Sequence, residues 1–354
     1  MPRHLEPRVE LREIAAYQAG RAAPPGAVKL SSNENPFPPL PGVEAAIADA
    51  GADVNRYPDF GSSALVSALA GALEVEADQV ALGTGSVAVL GQVITAMAGS
   101  GDEVVFPWRS FEAYPITVQL SGAMQVRVPL RPDHSHDLDA MADAVTDRTR
   151  VVLVCTPNNP TGTVVSRRDL EAFLARVPPR VLVAVDEAYV EFVRDANSPG
   201  AIDLVRTHPN VVVLRTFSKA YGLAGVRVGY GVGDAEVIEQ IRKAQLPFGV
   251  TSLAERAAIA ALAGRTELGR RVDALVRERE RVQMRLADLG YVAPRSEGNF
   301  VWLPLGADSE RFALACESAG VVVRPFAGDG VRVTIGQPRA NDLWLAVLRD
   351  FLGL

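Results

Sequence analysis

From Asp78 to Val232 the chain repeats one pattern, short β-branched runs separated by stretches of helical periodicity. The runs are Val104-Val105-Phe106, Val126-Arg127-Val128, Val151 to Cys155, Val181 to Val185, Val211 to Leu214 and Val226 to Val232. Continuous apolar runs mark strands buried on both faces, and the helical spacers between them are long enough for parallel crossovers. The pattern predicts an α/β fold built on a large, mostly parallel sheet covered by helices on both faces.

Beyond this region the periodicity changes. Leu268, Val272, Leu275, Val276, Val282, Leu286 and Leu289 form one stripe, which predicts a long amphipathic helix over Glu267 to Leu289, ended by Gly290. A strand at Asn299 to Leu305, a helix near Arg311 to Ser318, a strand pair at Val321 to Arg324 and Val331 to Ile335, and a last helix after Asn341 suggest a small α+β unit. Residues 5 to 42, rich in Pro, Gly and Asn, have little periodicity and suggest an arm lying over another surface. At 354 residues the chain exceeds what one core usually supports. The expected division is an arm at 1–42, a large domain at 43–266 and a small C-terminal domain at 267–354, with the arm packing near the last.

Composition serves to exclude. With 48% apolar residues and a net charge of -6, the chain is neither disordered nor, lacking a long unbroken apolar run, expected to span a membrane. Its basic residues are scattered, so no footprint for nucleic acid appears. Met1 to Glu13 alternates Arg, Glu and His with prolines and shows no apolar signal core, so the expected location is cytoplasmic. Cys155 and Cys316 sit in apolar surroundings and read as core residues. His134 and His136 lack metal-ligand spacing and read as a solvated loop, so no metal is expected.

The chemistry is concentrated at strand ends. Of 36 basic residues only Lys29, Lys219 and Lys243 are lysine. A chain that prefers Arg for bare charge keeps Lys where an amine must lose its proton. Lys219 follows the strand ending at Leu214, where open α/β sheets place ligands, and stands among Thr216, Ser218 and Arg227. Hydroxyls plus Arg suit a phosphate monoester, and a desolvated lysine suits attack on a carbonyl; the alternative is a surface lysine in a turn. The strand ending at Val185 leads into Asp186-Glu187-Ala188-Tyr189. A buried acid there needs a positive partner such as a protonated pyridine, with Tyr189 donating to a phenolate oxygen; a helix cap is the plain alternative. The strand ending at Cys155 leads into a proline-shaped turn, Thr156 to Gly162, that presents Asn159. Gly83-Thr84-Gly85-Ser86 opens a helix whose backbone N–H groups suit a phosphate.

These segments, together with Asn33-Glu34-Asn35-Pro36, Arg56-Tyr57-Pro58-Asp59 and Val331 to Gly336, make the chain resemble the fold-type I pyridoxal-phosphate aminotransferases of the histidinol-phosphate branch over essentially its whole length. The resemblance implies pyridoxal 5'-phosphate as cofactor, bound covalently by Lys219, with Asp186 on the pyridinium and Asn159 and Tyr189 on the ring oxygen. Ser86, Val87, Thr216, Ser218 and Arg227 would hold the phosphate, and Phe111 the ring face. Tyr57 would reach the neighbouring subunit's phosphate, which implies a homodimer. Arg332 matches the residue that grips the substrate carboxylate, and Asn33, Arg324 and Tyr17 match pocket residues.

Within that branch the implied reaction is ping-pong amino transfer between an amino acid and a 2-oxo acid such as 2-oxoglutarate. Phe111 stands where histidinol-phosphate enzymes carry tyrosine, so the pocket lacks a hydroxyl donor and suits an uncharged aromatic side chain. Trp108 to Tyr114 as a whole is similar to actinobacterial aromatic amino acid (phenylalanine) aminotransferases. Arg324 argues for histidinol phosphate, the runner-up, and a phospho-amino-acid decarboxylase shares the same cofactor residues.

Overall fold

The computed structural model describes residues 9–12, 14, 16, 20–198 and 200–354. Twelve strands lie among them: β1 (Val28–Lys29), β2 (Val80–Gly83), β3 (Glu103–Trp108), β4 (Met124–Pro129), β5 (Thr149–Cys155), β6 (Leu182–Asp186), β7 (Val211–Thr216), β8 (Gly229–Val232), β9 (Phe300–Leu303), β10 (Val321–Val322), β11 (Arg324–Phe326) and β12 (Gly330–Thr334). Seven of them make one sheet in the order β2-β8-β7-β6-β5-β3-β4. Only β8 runs antiparallel, between β2 and β7. The β-branched runs thus form the mostly parallel sheet that their spacing predicts.

Pleating divides this sheet into two apolar faces. Val151, Leu153 and Cys155 point with Val212 and Leu214 toward one cluster, which includes Val89, Val93 and Ile94 of the helix Ser86–Met97. Val152 and Val154 point with Val183, Val185, Val211 and Val213 into a second cluster. That cluster includes Leu65 and Leu69 of the helix Ser63–Leu73 and continues into the C-terminal residues. Burial of each such side chain contributes about 1.5–3 kcal/mol. Both faces being covered, the architecture is α/β/α.

A second, antiparallel sheet in the order β11-β12-β9 forms the small domain. The strand pair expected at Val321 to Arg324 and Val331 to Ile335 is divided. β11 pairs with β12, whereas β10 turns away and pairs parallel to β1 of the arm. Pro325 cannot donate to a ladder, which suits β11 to the sheet edge. The arm is therefore stitched to the C-terminal part by main-chain bonds, Val28 N to Gly320 O and Leu30 N to Val322 O, each at 2.8 Å. The last helix begins earlier than Asn341, at Pro338, whose fixed φ suits a first turn.

The long helix spans Arg265–Asp288. Its apolar stripe has a charged residue at its centre, which periodicity alone does not reveal. Arg279 is 1% exposed and bonds Glu297 at 3.0 Å, Phe192 O at 3.0 Å and Gly298 O at 3.1 Å. Glu297 in turn accepts from Arg194 N at 2.7 Å, so the pair ties this helix to the end of the β6 segment. Removing one member of such a pair strands the other charge. Glu297→Leu is expected to destabilise the fold by about 3–5 kcal/mol, and Arg279→Met/Glu297→Leu to recover most of that loss, as read by denaturant unfolding. Equal stability of the single and double variants would contradict the pairing.

Candidate functional site

The carboxyl ends of β5, β6 and β7 face the small sheet across a cavity of about 220 Å³. Strand register sets what enters it. Cys155 and Asp186 are direct neighbours on β5 and β6, and Asp186 lies beside Leu214 on β7, so Asp186, Asn159 and Lys219 leave adjacent strands at one level. Ser86, Val87 and Phe111 line the same cavity, as do Tyr189, Thr216, Ser218, Arg227, Arg324 and Arg332.

Lys219 is half-buried, and of the three lysines it is the one that lines the cavity. Lys29 and Lys243 stand at the surface beside Glu34 and Glu239, at 2.8 and 3.1 Å. Lys219 Nζ instead donates to Ser32 O at 3.2 Å and lies 5.7 Å from the Tyr189 ring. Burial, reinforced by the nearby Arg332 guanidinium, lowers its amine from 10.5 to about 7. Asp186 shows the opposite displacement. Burial raises its carboxyl to about 6, opposed chiefly by the hydroxyl of Tyr114, which donates to Oδ2 at 2.8 Å. Its Oδ1 is buried with no hydrogen-bond partner. An unsatisfied carboxylate oxygen facing a cavity calls for a cationic donor from outside the protein.

At the far end, Gly85 caps the helix Ser86–Met97 with φ 89°. A Cβ there would lie 2.5 Å from Arg227 Nη2, and a Cβ on Gly229 would lie 2.2 Å from Ser86 N. Only glycine lets strand, helix start and guanidinium meet so closely. Arg227 itself has φ 64°, a left-handed conformation costly for a non-glycine residue. It is held there by Nη1 to Ala224 O at 2.9 Å, Nη1 to Ser218 Oγ at 3.3 Å and Nη2 to Thr84 O at 3.2 Å. Thr216 Oγ1 accepts from Ser218 N at 3.1 Å. Hydroxyls, a helix N-terminus and Arg227 converge as an anion cradle.

The small sheet closes the opposite wall. Arg332 Nη1 donates to Asn159 Oδ1 at 2.5 Å and Nη2 to Ser31 O at 2.8 Å. Asn33 does not line the cavity but braces it, with Nδ2 donating to the Tyr189 hydroxyl at 2.9 Å and its backbone N to Thr334 Oγ1 at 2.9 Å. Arg324 Nη2 reaches Glu112 Oε2 at 2.9 Å.

Two expected site residues are not in this group. Tyr57 is 84% exposed on the surface, stacked on Phe248 at 4.8 Å, and Tyr17 lies outside the described residues. Two others were missed. Tyr114 stands three residues after Phe111 at the start of a helix, a spacing that puts both rings on one face, 5.7 Å apart; Glu112 gave no signal. His136 is buried rather than solvated, next to Asn158, and burial lowers its imidazole to about 4. Among the described residues no helix is long and apolar enough to cross a membrane.

The sequence pattern of the family "Aminotransferase class I and II" matches residues 25–345. A protein named aromatic amino acid aminotransferase from Streptomyces coelicolor is 56% identical over 347 residues, 97% of each chain. One of the same name from Thermobifida fusca is 54% identical, over 97% of this chain and 96% of its own. The crystal structure of histidinol-phosphate aminotransferase from Sinorhizobium meliloti in complex with pyridoxal-5'-phosphate superposes with a TM-score of 0.86 at 29% identity, covering 98% of this chain and 97% of that one. With a match across nearly all its length, and with Lys219 and the buried Asp186 sharing one cavity at the strand ends, the chain belongs to the class I and II aminotransferases.

Proposed function

We propose that the protein is an aromatic amino acid aminotransferase using pyridoxal 5'-phosphate, which moves an amino group between aromatic amino acids and 2-oxoglutarate. The observation that carries this reading is the pairing of Lys219, its amine poised near neutrality, with the unsatisfied Asp186 Oδ1 in one cavity. The donor set fits the cofactor at each point. Asp186 supplies a carboxylate for a pyridinium nitrogen, Asn159 and Tyr189 flank the position of a phenolate, and Phe111 covers a ring face. Ser86, Val87, Thr216, Ser218 and Arg227 make the phosphate cradle. We further propose the division into an arm at 1–42, a large domain at 43–266 and a small domain at 267–354, and a cytoplasmic setting, which suits the buried free thiols of Cys155 and Cys316.

When bound, the cofactor supplies an electron sink for the charge left as the substrate Cα loses its proton. The chain's own residues do the rest. Arg332 grips the substrate α-carboxylate, a bidentate task for a planar guanidinium. Lys219 Nζ takes the proton from Cα and would return it to the carbon on the far side of the amino nitrogen, and an amine near neutrality can do both. Asp186, mostly ionised at neutral pH, would keep a proton on the cofactor's ring nitrogen. The oxo acid product leaves before the second oxo acid enters, which makes the cycle ping-pong.

Homodimer formation is supported by an exposed apolar group. Val54, Tyr57, Phe60, Leu246 and Phe248 are all exposed, and Phe60 packs edge-on to Phe248 at 5.5 Å beside the Tyr57 stack. An exposed cluster of rings such as Tyr57, Phe60 and Phe248 suits an interface. Tyr57, exposed within it, would act on a neighbouring subunit's phosphate.

Three measurements test the proposal. A neutral amine is needed to attack the cofactor carbonyl, and Lys219 is depressed rather than raised, so it is mostly protonated below about pH 7 and mostly neutral above. Uptake by cofactor-free protein, followed by absorbance, is expected to accelerate from pH 6 to pH 8 and then level off. Arg332→Gln should shift that profile upward in pH by removing a like charge. A midpoint near 10 in the wild type would contradict the assignment. Asp186→Asn should keep the cofactor yet lose about 100-fold to 1000-fold in turnover, because an amide no longer favours a protonated ring nitrogen. Near-normal half-reaction rates in that variant would remove Asp186 from the mechanism. In a panel of phenylalanine, tyrosine, tryptophan and histidinol phosphate with 2-oxoglutarate, kcat/KM should be highest for an aromatic amino acid. A preference for histidinol phosphate would instead establish the second reading, which Arg324 in the cavity wall favours.

A further inference from the structure

Arg324 and Arg332 are direct cross-strand partners on β11 and β12, and both line the cavity. Like charges in that relation repel, so the arrangement requires acceptors. Arg332 meets neutral oxygens of Asn159 and Ser31, whereas Arg324 meets a carboxylate, Glu112 Oε2 at 2.9 Å. Glu112 directly follows Phe111 and also lines the cavity, so its charge faces the same space as the guanidinium it neutralises. The pair is only partly exposed, 11% for Arg324 and 30% for Glu112, which limits screening by water.

We propose that Glu112 is a specificity-determining residue that discriminates against amino donors carrying a phosphomonoester side chain. This rests on the reading of the cavity as an aromatic aminotransferase site. The argument is charge counting at one guanidinium. The pair sums to zero, so a phosphate dianion arriving at Arg324 leaves two negative charges unbalanced beside Glu112. A singly charged distal carboxylate, as on 2-oxoglutarate, can exchange with Glu112 one charge for one. An uncharged aromatic ring leaves the pair undisturbed and packs on Phe111. Coulombic cost scales with the charge brought in, so the penalty falls hardest on the dianion.

The test uses the holoenzyme in the donor half-reaction, without oxo acid, so that acceptor binding does not enter. Glu112→Gln should raise the ratio of kcat/KM for histidinol phosphate over phenylalanine on the order of tenfold, chiefly through KM for the phosphate donor. Glu112→Asp, which keeps the charge, should restore the wild-type ratio, and Glu112→Gln/Arg324→Gln should abolish the gain. If Glu112 only braces the fold, both donors lose alike in Glu112→Gln and the ratio stays put, which overturns the inference. A wild type that already prefers histidinol phosphate overturns the underlying reading instead, a distinguishable result.

Discussion

Lys219, half-buried, and Asp186, fully buried, line one cavity, and among the described residues no hydrogen bond joins their side chains. The amine donates to a backbone carbonyl and feels the charges of Glu34 and Asp186, while the acid accepts from the Tyr114 hydroxyl and is eased by the Ala188 backbone N–H. Leaving two ionisable groups in this state costs stability, and the surrounding apolar sheet is what makes the cost tolerable. The same low dielectric moves the amine down to about 7 and the carboxyl up to about 6, which brings both into the range where protons move near neutral pH. The two groups are therefore those that a cationic, carbonyl-bearing ligand would satisfy.

That cavity exists only because three parts of the chain meet at Asn33. This residue takes φ 54° and bonds Thr334 of β12 through its backbone N, while its side chain reaches Tyr189 after β6. Its carbonyl accepts from Asn299 Nδ2 at 3.1 Å, just before β9. The β1–β10 ladder holds the arm in register so that Ser31 and Ser32 offer their carbonyls to Arg332 and Lys219. Arm, large sheet and small sheet thus share one polar network, and loosening any of them would displace the substrate-facing groups.

Much of this was legible in the sequence because strands buried on both faces leave long apolar runs, and because ligands of such sheets gather where those runs end. Asp186, Asn159 and Lys219 were found in that way. What escaped depends on pairing rather than pattern. The antiparallel course of β8 does not alter its composition, and the diversion of β10 to the arm turns on a partner nearly 300 residues away. Arg279 sits in an apolar stripe that periodicity treats as a gap, since its partner Glu297 belongs to another segment. Glu112 carries no sequence signature for the same reason, since its partner Arg324 lies 212 residues away.

The scarcity of lysine acquires a physical meaning once the cavity is described. Arg227, Arg324 and Arg332 line the cavity together with Lys219, and a guanidinium is a fixed charge where an amine is not. They supply a fixed positive field for an anionic ligand, and Arg332 and Arg227 also push the lone amine toward its neutral form. A lysine at any of those positions would titrate in turn and weaken both effects. The division of labour, guanidinium for constant charge and one amine for proton transfer, follows from their different acidities and from burial.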